Sequence, residues 1–265
     1  MALGYLPGSR SAFHWSTRVF GSRRFSRTIE FRIISRWLAR GGRALDLGAG
    51  NGEFSAQLAL RGYRVVAFDL DSRALQDSRG CAVSGTTWVA GDATRLPFAE
   101  ASFDFVLCNS AIEHFPDDRA AVRELCRVVR PGGRLIITTD SLPKRASRWL
   151  GAIPMAWRRE DLRANGRLSD TIAASHQRRH HVNRFYDADR LNSLLDDAGF
   201  RVEDWRYYLN DLFSQGIFEL HLMLTALDFY NQLSRRLFPV FFPFTFPIIR
   251  RRPGYGLAVL ASREP

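Results

Sequence analysis

Residues 43–71 read RALDLGAGNGEFSAQLALRGYRVVAFDLD, which is an apolar run, a glycine-rich turn, an amphipathic stretch, a second apolar run and a closing acid. Ala44, Leu45 and Leu47 suit a strand buried on both faces, as parallel strands usually are. Gly48, Gly50 and Gly52 let the backbone turn tightly and approach a ligand with no Cβ in the way. A helix that follows such a turn directs its first N–H groups at the same space. Val65, Val66, Ala67 and Phe68 make the next strand, with Asp69 at its carboxyl end, where an acid past the glycines commonly holds a ribose diol. This order is half of a nucleotide-binding βαβ unit, and it predicts an α/β fold.

The glycines run G-x-G-x-G, as Gly48-Ala49-Gly50-Asn51-Gly52, rather than the G-x-G-x-x-G of dinucleotide sites. Asp46, two residues before the first glycine, would repel a pyrophosphate and attract an ammonium or sulfonium group. Further on, Gly91-Asp92-Ala93 follows the apolar run 87–90, and Leu96-Pro97-Phe98 comes shortly after. Residues 102–110, SFDFVLCNS, read as a strand and are followed by Glu113-His114-Phe115-Pro116-Asp117. A helix is expected over 119–130, with Val122, Leu125 and Val129 at helical spacing, then a turn at 130–134 (RPGGR) and a strand over 135–139.

Taken in this order, the blocks resemble the class I S-adenosylmethionine-dependent methyltransferases, whose first motif has the form D-x-G-x-G-x-G, and in particular the type 11 subgroup. The resemblance covers residues 43–140. It implies a Rossmann-like, seven-stranded, mostly parallel sheet with an antiparallel last strand and helices on both faces. It also implies S-adenosyl-L-methionine as cofactor, lying across the carboxyl ends of strands one to four. Asp69 would take the ribose hydroxyls, and Asp92 and Ala93 the adenine. The turn Gly48, Ala49, Gly50 and Gly52, with Asp46 and Asn109, would take the methionine part; Leu70 and Ser110 complete the expected set. Some quinone and phenol O-methyltransferases carry a further Glu three residues before the one at 113. That position is Ser110 here, so no metal site is expected. Several of these residues also have a plainer reading: Gly52 as a helix-packing glycine, Asp46 as a turn cap, and Asp92 as a helix N-cap.

The segment 180–186 (HHVNRFY) leads into an expected helix over 187–198, then Gly199-Phe200 and a strand over 201–208. Relatives commonly show a similar segment, whose first part approaches the active site. His114, His180 and His181, with His176 nearby, are the candidate general bases, because imidazole titrates near neutrality. Structural, capping and surface roles are the alternative for each.

At 265 residues the chain can bury one large core carrying additions. The expected division is a basic helical extension (1–42), the cofactor-binding core (43–140), a basic substrate lid (141–186) and the second half of the sheet (187–265), the last carrying an aromatic insertion at 212–252. Cys81, Cys108 and Cys126 show no metal-like or paired spacing and read as reduced thiols of a cytoplasmic protein.

The net charge is +11, and of the 38 basic residues all but Lys144 are arginine, a skew that a GC-rich genome explains more simply than phosphate binding does. Nine arginines and a single acid, Glu30, precede Asp46; ten basic residues and three acids lie in 141–184. The charge is thus concentrated outside the cofactor core. No nucleic-acid-binding module is recognisable, and an anionic membrane surface would meet the same charge.

The first forty residues resemble a mitochondrial transit peptide in composition but contain no uninterrupted apolar region of the secretory kind. The favoured reading is a helix over 28–39, with Ile29, Ile33, Ile34 and Trp37 at helical spacing. The apolar run 237–249 is thirteen residues, too short to cross a bilayer as a helix, and Pro239, Pro243 and Pro247 interrupt it. Its five phenylalanines are bracketed by five arginines, a pattern that suits the headgroup boundary of a membrane or burial against the core or a partner.

The function expected is methylation of a small-molecule acceptor, apolar and lipid- or quinone-like, on oxygen first and carbon next, at the inner face of the membrane. The competitors are a catalytically silent S-adenosylmethionine-binding protein and an NAD(P)-dependent oxidoreductase. The latter shares the first motif but does not call for Gly91-Asp92-Ala93 or the proline-glycine-glycine block.

Overall fold

The structure is a computed structural model, and it describes residues 24–50, 52–71, 85–141, 184–208, 249–250 and 253–265. In chain order the elements are α1 (Arg24–Trp37), β1 (Gly42–Leu47), α2 (Glu53–Ala59), β2 (Tyr63–Asp69), β3 (Thr86–Ala90), β4 (Phe103–Asn109), a single 3-10 turn (Ile112–His114), α3 (Asp118–Val128), β5 (Val129–Asp140), α4 (Ala188–Asp196), β6 (Phe200–Tyr208), β7 (Ile249–Arg250) and β8 (Gly256–Arg263). The strands form one sheet in the order β3-β2-β1-β4-β5-β8-β6-β7.

Strand β1 lies between β2 and β4 and is parallel to both. The chain winds outward from β1 to β2 and β3, then returns to place β4 on the other side of β1. Beside β1 the direction of winding therefore reverses, and in open α/β sheets ligands bind at the carboxyl ends of the strands beside such a reversal. Strand β8 is antiparallel to both β5 and β6, between which it is inserted. This is the seven-stranded sheet expected from the sequence, with the two-residue β7 added at the edge against Tyr207 and Tyr208.

Successive strand residues alternate between two cores, as the two-residue period of a strand requires. Leu45, Leu47, Val106, Cys108, Leu135, Ile137, Leu257 and Val259 share one core with Val122 and Leu125 of α3 and Leu191 and Leu195 of α4. Ala44, Phe105, Leu107, Ile136 and Leu260 share the other with Ile34 of α1 and Phe54 and Leu58 of α2. Helices cover both faces, which is why the central strands read as nearly unbroken apolar runs.

Several boundaries differ from the sequence reading, among them the helix expected over 119–130, which ends at Val128, so that Val129, expected on its apolar face, is the first residue of β5. Helix α1 begins at Arg24 and ends at Trp37, against an expectation of 28–39. Residues 130–134, expected as a turn between helix and strand, are the bulged first part of β5, where the pairing jumps from Phe103–Val129 to Phe105–Arg134. The cause lies in the two glycines. Gly132 takes a left-handed φ of 70°, and a Cβ on Gly133 would come within 2.7 Å of Val129 and 2.8 Å of the Arg130 carbonyl.

Leu45 is fully buried in β1, so Leu45→Ala should lower unfolding stability by about 2–5 kcal/mol. Leu60, 41% exposed, should lose no more than about 0.5 kcal/mol on the same replacement. Urea unfolding of the two variants checks the assignment, and equal losses would contradict it.

Candidate functional site

The candidate site is built at the carboxyl ends of β1 to β5, beginning with the turn between β1 and α2. The amides of Gly48 and Ala49 both donate to the Phe68 carbonyl (2.8 and 3.0 Å), and Gly52 N–H closes the turn on the Ala49 carbonyl at 2.8 Å. Gly48, Gly50 and Gly52 have φ values of 74°, 53° and 75°, in the left-handed region that favours glycine. Their surroundings differ. A Cβ on Gly48 would lie 2.4 Å from the Ala111 Cβ, and one on Gly52 would lie 2.1 Å from the Trp88 ring. A Cβ on Gly50 would meet nothing within 4 Å. Gly48 and Gly52 are thus glycine because neighbours crowd them, whereas Gly50 faces open space in which a ligand can lie against the backbone.

Asp69 stands against that same residue. Its Oδ2 accepts the Gly50 N–H at 2.8 Å, and its Oδ1 accepts the Asp71 N–H at 2.9 Å. Burial raises its pKa above the ordinary carboxylate range, while these amides pull it back. Leu70 follows at the strand end with 59% of its surface exposed, an apolar face at the rim of the crevice. The end of β3 is tied to the end of β2 by the Gly91 N–H on the Asp69 carbonyl, at 2.9 Å. Asp92 is exposed, and its Oδ1 accepts both the N–H and the hydroxyl of Thr94, holding its own turn. Ala93 packs against the core beside it.

Asp46 lies beneath the turn. It is 1% exposed and accepts the Ser55 hydroxyl at 2.5 Å, which fastens α2 to β1. Asn109, at the end of β4, is buried; its amide donates to Glu30 of α1 at 3.2 Å, and its carbonyl accepts the Thr138 hydroxyl at 2.7 Å. Ser110 has a φ of 49°, rare for a residue with a side chain, and its N–H donates to the carbonyl of Thr138 at 2.9 Å. The structure therefore brings the whole expected cofactor set to one end of the sheet, with Asp46 as a support under the turn. Gly50 leaves open space and Asp69 sets a carboxylate beside it, a donor and acceptor set of the kind that a nucleoside cofactor needs.

The expected bases are distributed differently. His114 ends the 3-10 turn on the exposed side, while Glu113 before it is 2% exposed and faces inward, accepting the Thr139 hydroxyl at 2.9 Å. Glu113 is pushed up to about 7, chiefly by burial, with the charges of Asp140 and Glu30 adding. Its own amide and the Thr139 hydroxyl act in the opposite direction. His176, His180 and His181 lie outside the described residues.

Where the chain resumes, it straps the turn. Arg184 N–H donates to the Glu113 carbonyl at 3.1 Å, and its guanidinium donates to the carbonyls of Phe115 and Pro116 and lies 3.7 Å from Asp118. Tyr186 adds its hydroxyl to Asp118 at 2.7 Å and its N–H to the Asp140 carbonyl at 3.2 Å. Beside Asp140, the Tyr255 hydroxyl lies 3.3 Å from Oδ2. Tyr208 is buried, and burial together with the acids Glu30, Asp140 and Glu113 raises its pKa well above the ordinary value. Glu30 and Glu113 were not site candidates in the sequence. The only signal for Glu113 was its place in the EHFPD block.

Comparison with known proteins gives a match to a family model described as a methyltransferase domain, over residues 45–137. A demethylmenaquinone methyltransferase of Clavibacter sepedonicus is 32% identical over 175 residues, 63% of this chain and 68% of its own length. A malonyl-[acyl-carrier protein] O-methyltransferase of Enterobacter lignolyticus is 32% identical over 197 residues, 73% of this chain and 66% of its own. The chain spans only 34 to 44% of the length of five further curated relatives. Among solved structures, an S-adenosylmethionine-dependent methyltransferase of Thermotoga maritima superposes with a TM-score of 0.58 at 17% identity, covering 95% of this chain and 100% of that one.

The raised proton affinity of Glu113 makes stability depend on pH. The folded chain holds this proton more tightly than the unfolded one. The contribution is whole below the ordinary value of 4.5 and is lost as pH rises through about 7. At 1.36 kcal/mol per unit, the span is about 3 kcal/mol. Relative to wild type, Glu113→Gln should therefore gain stability between pH 5 and pH 8, read by urea unfolding at both values. A difference that stays flat across that range would contradict the assignment.

Proposed function

Because the chain belongs to the class I S-adenosylmethionine-dependent methyltransferases of the type 11 subgroup, we propose that it transfers a methyl group from S-adenosylmethionine to oxygen on a small apolar acceptor, lipid- or quinone-like. The observation that carries the reading is the open cradle over Gly50 with the Asp69 carboxylate hydrogen-bonded to its edge, in a chain whose relatives are methyltransferases. When bound, the cofactor supplies a methyl group on a positively charged sulfur, an electrophile that needs alignment with its acceptor more than activation.

The work left to this chain is positional. Asp69 and Leu70 would hold the ribose, Asp92 and Ala93 the adenine, and the turn 48–52 with Asn109 and Ser110 the methionine part. Asp46, fixed by Ser55, places negative charge beneath that turn. Ser110 bends the chain away from β4 over the same end of the sheet, so the residues after it form the acceptor side. The name of one relative, a demethylmenaquinone methyltransferase, supports an acceptor of the quinone kind. The aromatic run 237–249, bracketed by arginines, supports an apolar acceptor met at the anionic inner face of a membrane. Among the described residues no helix is long and apolar enough to cross a membrane.

Isothermal titration should show S-adenosylmethionine binding that is abolished in Gly50→Arg and weakened at least tenfold in Asp69→Ala, with no binding of NAD. Unchanged affinity in both variants would refute the site. Labelled S-adenosylmethionine incubated with a membrane lipid extract should deliver label to a lipid-soluble product as a methyl ether of a hydroxylated lipid; label found only in protein or nucleic acid would refute the acceptor class. Full-length protein should float with anionic vesicles and lose that property when Arg235, Arg236, Arg250, Arg251 and Arg252 are replaced by Gln. Equal flotation would remove the membrane reading.

A further inference from the structure

We propose that Glu113 is the group that takes the proton from the acceptor during methyl transfer, acting at the carboxyl ends of β4 and β5. The inference rests on the preceding reading, that the acceptor is a hydroxyl that must lose its proton. Position is the first ground. Glu113 lies in the first turn after β4, beside the reversal of winding, and that turn touches the cofactor turn directly, with Ala111 filling the space a Cβ on Gly48 would need. Glu113 thus follows by two residues a direct contact with the turn that would hold the cofactor.

Surroundings are the second ground. Glu113 faces Glu30 from α1, Asp140 from β5, Tyr208 from β6, Tyr255 at the entry to β8 and Cys108 from β4. Every one of these groups is acidic. The nearby cation, Arg184, gives Glu113 only its backbone N–H and spends its guanidinium on Phe115, Pro116 and Asp118. Among the described residues no cation pairs with the Glu113 carboxylate. A buried acid serving only the fold is normally matched by a cation or several donors, since an uncompensated buried charge costs several kcal/mol. Here the carboxylate accepts one side-chain hydroxyl, that of Thr139, and its own backbone amide. A buried acid with raised proton affinity beside the turn of a binding site is a candidate functional group.

The chemistry then balances. The acceptor oxygen uses a lone pair to form its bond to the methyl carbon, and the carbon–sulfur pair stays on sulfur, which becomes neutral. The pair of the acceptor O–H bond stays on oxygen, and the proton passes to a Glu113 carboxylate oxygen, from which water later removes it. With burial and its acidic neighbours holding its proton affinity near 7, Glu113 is well matched to accept a proton at neutral pH. His114, its exposed neighbour, is not needed for this step.

The experiment uses the full chain, wild type and the variants Glu113→Gln, Glu113→Asp and Thr139→Val, each saturated with S-adenosylmethionine. Difference infrared spectroscopy from pH 5 to 9 should show a protonated-carboxyl band in wild type that disappears with a midpoint near 7. Glu113→Gln should lack the band, and Thr139→Val should move its midpoint upward. Cofactor affinity should stay within about twofold throughout. With the hydroxylated fraction of the membrane lipid extract as acceptor, Glu113→Gln should lose about 100-fold or more in kcat together with the acid limb of the pH profile, and Glu113→Asp should recover part of both. A band that survives in Glu113→Gln, weakened cofactor binding, or an unchanged acid limb each overturns the proposal. Failure of wild type to label any hydroxylated acceptor overturns the acceptor reading instead, and the infrared band separates the two failures.

Discussion

The turn from Gly48 to Gly52 is the junction through which the rest of the site is positioned. It is fastened to β2 by two amides on the Phe68 carbonyl, and to the β4 side by Ala111 pressed against Gly48. Trp88 of β3 lies over Gly52. Three strands thus locate one loop, and each fastening requires a missing side chain or a left-handed backbone. Gly50 sits at the centre of this frame with nothing within 4 Å of where a Cβ would be, so a ligand can approach the backbone there. Rigidity around the opening matters for transfer chemistry, in which misplacement of a reacting group by an ångström is costly.

A second constraint is electrostatic. The chain carries a net charge of +11, yet the interior beside this turn holds Glu30, Asp46, Glu113 and Asp140, the first three buried. Their contacts include the Ser55 hydroxyl on Asp46, the Asn109 amide on Glu30 and the Tyr255 hydroxyl on Asp140, while Glu113 accepts the Thr139 hydroxyl and its own amide and has raised proton affinity. Arg184, the arginine that reaches this turn, strengthens the backbone of the loop and leaves the acids acidic. Cost without neutralisation is tolerable where protonation offers a way out, as it does for Glu113.

What the sequence made legible was local. The strand–turn–helix–strand order of 43–71, the acid at 69 and the strand at 103–109 are short-range patterns whose period and glycine content carry the information. The start of β5 was read as a turn because proline and two glycines usually mark one; its pairing depends on a long-range bulge against Phe103 and Phe105. The choice between Glu113 and His114 was equally hidden. Which of two adjacent residues faces inward on a 3-10 turn depends on the left-handed φ of Ser110 and on Thr139 across the sheet, and neither has a sequence signature. The Glu30–Asn109 contact spans 79 positions and is visible only once α1 is docked.

The antiparallel strand brings several of the acidic groups to one level. Gly256 of β8 is paired with Asp140 of β5 on one side and Tyr208 of β6 on the other, so a single residue without a side chain sets both at one level. A Cβ at that position would lie 2.0 Å from the Tyr208 ring, which therefore lies across the strand at Gly256. A parallel strand in the same slot would run in the opposite direction and bring its other end to this level. The insertion that distinguishes this sheet from a simple doubly wound one thus builds the face against which Glu113 is held. Tyr208 and Tyr255, whose burial keeps their phenols protonated, line that face without adding charge to it.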